Sequence, residues 1–346
     1  MKKKLINSFN TRKKKENNYF YKLILLLFFF QNLIFILFII TKFNFKTLVV
    51  KKFLKEFNTT IMPDYNHKFA IIRRRNCSNG LFGYYVAYIG CINTCINNGY
   101  IPILDLISFP NIFNGFNKIK LNENPWELFF NQPFEFKLKD IKKYAKDIKY
   151  IICNPKNRPD TNIYKNIFLL NYWHNLAEKY IPIKNEIINE SNIFRNYLFN
   201  NLTNILGILI RGTDYISMKP RGHPIQPNPN DVIHDAKEMD KKYKYDWIFL
   251  TTEDEIIRKK FILEIGDKLK FLKTKVNIKY NYTNKDYLAY NNNIKGINFT
   301  KIYLINIIIL SKCIDIICSR TAGSVGAFIF TKGFRNSKVY YLGRYK

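Results

Sequence analysis

Three times in the second half of the chain, a short apolar run ends in a cluster of polar residues and passes into a helix-like stretch. The runs are "NILGILIRGTD", "DWIFLTTEDEIIRKKF" and "IDIICSRTAGSVGAFIF". This repetition restricts the fold sharply, because strands joined by helical crossovers pair in parallel, with helices on the faces of the sheet. In such a sheet the carboxyl ends of the strands share one edge, and that edge is where ligands are held. The clusters delivered there are Arg211, Thr213 and Asp214; Thr252, Glu253 and Asp254; and Ser319, Arg320, Thr321 and Ser324.

The first half shows the same alternation. "KFAIIRR" reads as a strand, "NCSNGLFGYY" as a glycine-bearing turn, and the run through "VAYIGCINTCINNG" as a helix. "YIPILDL" is a further strand, followed by a loop-rich region with "NENPWELFF" and by "KYIICNP", a strand around Ile151. A helical stretch over about 162–200 connects the halves. Beyond the three runs, "KLKFLKTK" reads as a strand, "FTKIYLINIIILSKC" as a helix and "KVYYLGRY" as a last strand. The sequence therefore predicts an α/β protein in two halves, 66–200 and 201–346, with no internal repeat and no long linker visible.

A different kind of segment precedes them. "LILLLFFFQNLIFILFII", Leu23 to Ile40, is interrupted only by Gln31 and Asn32 and sits at the lower edge of what spans a hydrocarbon core of roughly 30 Å. No small-residue cleavage site follows it, so the expectation is an uncleaved transmembrane signal anchor over 23–41. It lies between a basic amino-terminal segment, 1–22, and a basic linker, 42–65. Lysines and arginines flank both sides, with a small excess before the span, which places the amino terminus in the cytoplasm and the remainder across the membrane. An interfacial anchor would leave the remainder cytoplasmic.

The formal charge of +30 over 346 residues would ordinarily point to a polyanionic partner. Here the lysines are spread along the chain and accompany an excess of Asn, Ile, Phe and Tyr, and no nucleic-acid-binding module is present, so no nucleic-acid partner is expected. The six cysteines, Cys77, Cys91, Cys95, Cys153, Cys313 and Cys318, form no C-x-x-C pair. They read as small buried apolar residues, and disulfides cannot be deduced from their spacing. No metal site is expected.

The chemistry of the three clusters indicates a ligand. Arg211 offers a planar fork for phosphate oxygens. "SRTAGS" before a helix presents hydroxyls and backbone N–H groups with little side-chain bulk, which suits a diphosphate. The carboxylates of Glu253 and Asp254 suit a base or ribose. A nucleotide diphosphate is the ligand these groups describe. There is no G-x-x-x-x-G-K-[ST] loop and no G-x-G-x-x-G turn after a strand, which argues against a P-loop ATPase and an ordinary dinucleotide dehydrogenase.

At these clusters the chain resembles the GDP-fucose-dependent fucosyltransferase superfamily, which includes protein O-fucosyltransferases, α1,6-fucosyltransferases of N-glycan cores and nodulation-factor fucosyltransferases. It is similar in particular to a bacterial branch with the pattern R-G-T-D-Y…K-P…H-P-x-Q-P. That pattern stands here as Arg211, Gly212, Thr213, Asp214 and Tyr215, then Lys219 and Pro220, then His223, Pro224, Gln226 and Pro227. "GLFGYYVAYIGCINTCINNGYIPILDL" and "NPWELFF" look like the family's amino-terminal motifs, so the resemblance covers most of the chain beyond the anchor.

The resemblance implies a GT-B-like fold of two Rossmann-like domains, with the nucleotide sugar in the second, and inverting transfer of fucose from a GDP-sugar donor to a glycan acceptor, without a metal or other cofactor. It gives Arg211 the role of assisting departure of the diphosphate, and Thr213, Asp254, Ser319, Thr321 and Ser324 roles in binding the donor. Asp214, from the same loop, and Asp105, from the acceptor half, are alternative general bases. His223 is a third candidate, although its proline-rich setting equally suits a residue shaping a rigid loop. Trp126 and Tyr215 read equally as sugar platforms or as packing. One departure stands out: the family often carries a histidine two residues before the arginine, and Leu209 occupies that position. A donor other than GDP-fucose, or a membrane-tethered glycan-binding protein without turnover, are the competing readings.

Overall fold

Strands buried on both faces are the mark of a parallel sheet covered by helices on each side, and the apolar runs read above behave in this way. The computed structural model describes residues 67–75, 80–111, 113, 123–139, 141–154, 156, 158–272 and 297–346, all within the compact unit Tyr65–Lys346. The expected anchor at 23–41, with the segments 1–22 and 42–65, lies outside the described residues. Among the described residues no helix is long and apolar enough to cross a membrane.

His67–Arg73 (β1), Leu81–Asn97 (α1), Ile101–Asp105 (β2) and Ala145–Ile152 (β3) build the first sheet, ordered β2-β1-β3 and parallel throughout. Ile167–Tyr180 (α2) and Asn185–Phe199 (α3) lead to the second sheet. Its elements are Ile205–Leu209 (β4), Thr213–Ser217 (α4), Pro229–Tyr243 (α5), Trp247–Thr251 (β5), Glu255–Ile265 (α6), Leu269–Lys270 (β6), Ile297–Ser311 (α7), Asp315–Ser319 (β7), Ala322–Phe330 (α8) and Asn336–Tyr340 (β8). The order is β6-β5-β4-β7-β8, again parallel throughout. Connections leave β4 toward β5 on one side and reach β7 on the other, so the winding reverses between β4 and β7. That reversal opens a crevice outside the carboxyl ends of these two strands.

The predicted single helical connection over 162–200 is two helices. Pro182 disfavours helical geometry at Ile181, whose φ is −137°, and the extended Ile183 bridges to Phe130. Helix α5 was not anticipated, although its signals are present: Asn228 caps it, Pro229 opens it and Lys241 and Lys242 close it, in accord with the ordinary preferences at helix ends. The strand read in "KLKFLKTK" is described only as Leu269–Lys270.

Helix α1 is buried on nearly every side and crosses closely over α8, where a Cβ on Gly326 would overlap the Phe82 ring. The ring of Phe82 also meets Tyr303 and Phe330 edge-on, with centroids at 5.5 and 5.7 Å. Cys91 of α1 is bonded to Cys153, just past β3, with Cα atoms 6.1 Å apart. The sequence left a disulfide open without assigning one, and the preferred reading of the cysteines as small buried apolar residues does not hold for this pair. Cys95, Cys313 and Cys318 are free and buried, and Cys77 lies outside the described residues.

Candidate active site at the switch point of the second sheet

Parallel register fixes which polar tips meet. Leu209 pairs with Thr251 and with Cys318. Continuing each strand by two residues brings Arg211 beside Glu253, with Arg320 along the same edge. Arg211 donates from Nε to Glu253 Oε1 at 2.8 Å and from Nη2 to Asp214 Oδ1 at 3.1 Å, and its guanidinium lies 4.6 Å from the Tyr215 ring centre. Burial disfavours its charge, but Glu253 and Asp214 outweigh burial and hold its pKa well above the ordinary arginine value.

The turn that carries Arg211 is held under strain. Thr213 has φ of 47°, a left-handed conformation that is costly for a β-branched residue. Its N–H donates to Asp254 Oδ2 at 3.0 Å, and its hydroxyl lies 3.1 Å from both Asp214 Oδ1 and Glu253 Oε1. The preceding residue must be glycine, since a Cβ on Gly212 would overlap the Asp254 carboxylate. Asp254 itself caps α6, accepting from the N–H groups of Ile256 and Ile257 at 2.9 and 3.1 Å. With three backbone donors on its two oxygens, Asp254 holds the turn; it does not line the cleft.

On the other side of the crevice, α8 begins at Thr321, whose hydroxyl accepts from Ser324 N–H while Ser324 Oγ accepts from Thr321 N–H. Ser324 Oγ is further engaged by Tyr164 at 2.8 Å and by the carbonyl of Ser319 at 2.7 Å. This reciprocal cap satisfies the ends of the turn and leaves the first-turn N–H groups of Ala322 and Gly323, which have no partner within a helix. Thr321, Ala322 and Gly323 line the cleft. A Cβ on Gly323 would overlap the hydroxyl of Tyr303, so Tyr303, which lines the cleft together with Arg211, packs against the amino terminus of α8.

The cleft measures about 490 Å³, within the range of small-molecule sites. Its wall from the second half includes Arg211, Asp214, Tyr215, His223, Glu253 and Tyr303. From the first half come Arg74, Gly80, Phe82 and Arg158. Burial and then the nearby Arg158 lower the pKa of Arg74. Burial likewise lowers that of His223, against the pull of Asp214.

Of the residues singled out from sequence, Arg211, Asp214, Tyr215, His223, Glu253, Arg320 and Thr321 line this cleft, and Thr213 is buried directly behind it. Asp105, Trp126, Asp254, Ser319 and Ser324 do not line it. Ser319 Oγ donates to Gln226 Oε1 at 2.6 Å, pinning the H-P-x-Q-P loop, and Ser324 is fully buried in its cap. Asp105 accepts from Arg73 Nε at 2.7 Å, from the hydroxyl of Ser108, and from the N–H groups of Ile107 and Ser108. Four donors fill this carboxylate, and it does not line the cleft. Trp126 has no exposed surface; it stacks on Phe130 at 4.5 Å and meets Tyr88 edge-on, so it packs the first domain. Sequence reasoning passed over Tyr303, and read Glu253 as a carboxylate for a base or ribose rather than as the partner of Arg211. The register signal identifies Glu253, but only once β4 and β5 are known to be adjacent.

No protein-family model matches the chain, and no curated protein matches it. Among solved structures it is similar to the NodZ α1,6-fucosyltransferase soaked with GDP-fucose, at 14% identity and TM-score 0.44, over 76% of this chain and 93% of that one. Fucosyltransferase NodZ from Bradyrhizobium gives 14% identity and TM-score 0.44, over 75% and 92%. POFUT1 in complex with GDP gives 9% identity and TM-score 0.40, over 79% and 98%.

Proposed function

We propose that this chain is a GT-B-like glycosyltransferase that transfers fucose from GDP-fucose to a glycan hydroxyl with inversion. The observation that carries the proposal is the convergence of Arg211 and the first turn of α8 on the crevice where the second sheet reverses its winding. Positive charge on a fixed planar fork and the first-turn N–H groups of a helix suit a leaving diphosphate. The R-G-T-D-Y and H-P-x-Q-P motifs supply the specific donor. In this reading the acceptor hydroxyl attacks the anomeric carbon, the bond to the diphosphate breaks, GDP leaves against Arg211 and α8, and the hydroxyl proton passes to Asp214. A second reading keeps the reaction and changes the nucleotide sugar, and Leu209 in the histidine position favours it.

Calorimetry of the protein with GDP, UDP and CMP, each with and without chelator, tests both readings. GDP is expected to bind in chelator and to outcompete the other two. Preference for UDP or CMP would replace the donor, and a strict metal requirement would overturn the assignment. The apolar run Leu23–Ile40 makes the enzyme membrane-anchored in this proposal, with its catalytic part across the membrane from the amino terminus. The redox state of Cys91 and Cys153 in cells tests that topology.

A further inference from the structure

Glu253 stands at the tip of β5 and lines the cleft beside Arg211. One of its oxygens, Oε1, receives three donors: Arg211 Nε at 2.8 Å, Gly212 N–H at 3.0 Å and, from 3.1 Å, the Thr213 hydroxyl. Both side chains are largely withdrawn from solvent, at 18% exposure for Arg211 and 11% for Glu253. A guanidinium is a rigid plane, so gripping its Nε edge while Tyr215 covers its face at 4.6 Å fixes the direction in which its remaining N–H groups point. The same oxygen also closes the strained turn at Thr213, whose φ is 47°.

We propose that Glu253 is a positioning residue for Arg211, fixing the guanidinium for the departing diphosphate while partly offsetting its charge. This rests on the donor reading above. Its consequence separates it from a residue that only supports the fold. With Glu253 and Asp214 both at hydrogen-bond distance, one positive charge faces two negative ones, and a diphosphate entering the cleft meets a cation already compensated. Neutralising Glu253 removes part of that compensation, so the product is held more tightly. It also loosens the guanidinium, so turnover falls. Binding and rate then move in opposite directions.

The test compares full-length wild type, Glu253→Gln and Glu253→Asp, measuring GDP affinity by calorimetry, GDP release from GDP-fucose, and melting temperature. Glu253→Gln is expected to bind GDP about threefold to tenfold more tightly and to release GDP about tenfold more slowly or worse. Glu253→Asp keeps the charge and loses the reach, so it is expected to bind GDP nearly as wild type does and still turn over slowly. It also provides the reading if the glutamine variant does not fold. Affinity and rate both unchanged in Glu253→Gln, or both falling together with the melting temperature, would overturn the role of Glu253. Wild-type protein that binds no GDP would defeat the donor reading, and this assignment with it.

Discussion

Arg211 is charged at any pH at which the protein is folded, so its use is decided by its neighbours. Two carboxylates and a tyrosine face hold it, yet it still borders the cleft. Asp315 at the opposite end of the sheet is the contrast. It is fully buried and accepts from Arg335, from Asn336 and from the hydroxyl of Tyr245, and it does not line the cleft that Arg211 borders, which is the signature of a structural charge. If Arg211 contacts the leaving diphosphate, Arg211→Ala should lose about 3 kcal/mol of transition-state stabilisation, roughly a hundredfold in rate. Arg211→Lys should recover only part, because an ammonium lacks the planar fork. Rates and melting temperatures of both variants decide it: near-normal turnover by folded Arg211→Ala would remove the arginine from the mechanism. At this scale the sequence was informative about the cluster and poor about its members. Arg211 and Asp214 were legible because a strand end carrying both has few structural uses. Asp254 and Ser324 read as ligand contacts from sequence and sit in helix caps in the structure, because the residues that cap helices, Asp, Ser and Thr, are chemically the same ones that bind phosphates and ribose.

Among the elements, the second sheet was readable from its repeated pattern of strand, polar tip and helix, and the first from the same alternation. What could not be read was which strands are neighbours. The reversal between β4 and β7 brings Thr321 and Arg211 to one crevice from positions more than a hundred residues apart, and no local pattern encodes that. The seam between α1 and α8 is equally non-local. Gly326 looked like one of several small residues in "TAGSVGAFIF", yet it is the point at which the Phe82 ring rests on the α8 backbone. Gly326→Ala should cost about 1–3 kcal/mol through overpacking, in spite of alanine's better helix propensity. The cost should shrink in a Phe82→Ala background, where the ring is gone and the methyl group has room. Denaturant unfolding of the two single variants and the double variant measures the coupling; strictly additive losses would mean that the helices do not meet as described.

For the whole molecule, the Cys91–Cys153 bond connects topology to stability. It joins α1, which lies between the first sheet and α8, to the end of β3 across a separation of 62 residues. In the chain-entropy account a loop of that length restricts the unfolded state by about 4 kcal/mol, an upper figure because the reduced chain retains some order. Such a bond persists in an oxidising compartment and is reduced in a cytosol. The proposed anchor, with the amino terminus in the cytoplasm and the catalytic part beyond the membrane, therefore implies that the bond is formed in cells. The remaining described cysteines should not compete for it, since burial pushes the thiols of Cys95 and Cys318 up to about 12 and raises that of Cys313 as well, leaving almost no thiolate to exchange. Trapping thiols by alkylation in intact cells, followed by mass spectrometry, should find Cys91 and Cys153 joined and Cys95, Cys313 and Cys318 as thiols. Reducing the purified protein should then lower its melting temperature by several degrees without altering its response to GDP beyond that. Cys91 and Cys153 alkylated as free thiols in cells would put the catalytic part on the cytoplasmic side and make the apolar segment an interfacial attachment or an anchor of opposite orientation.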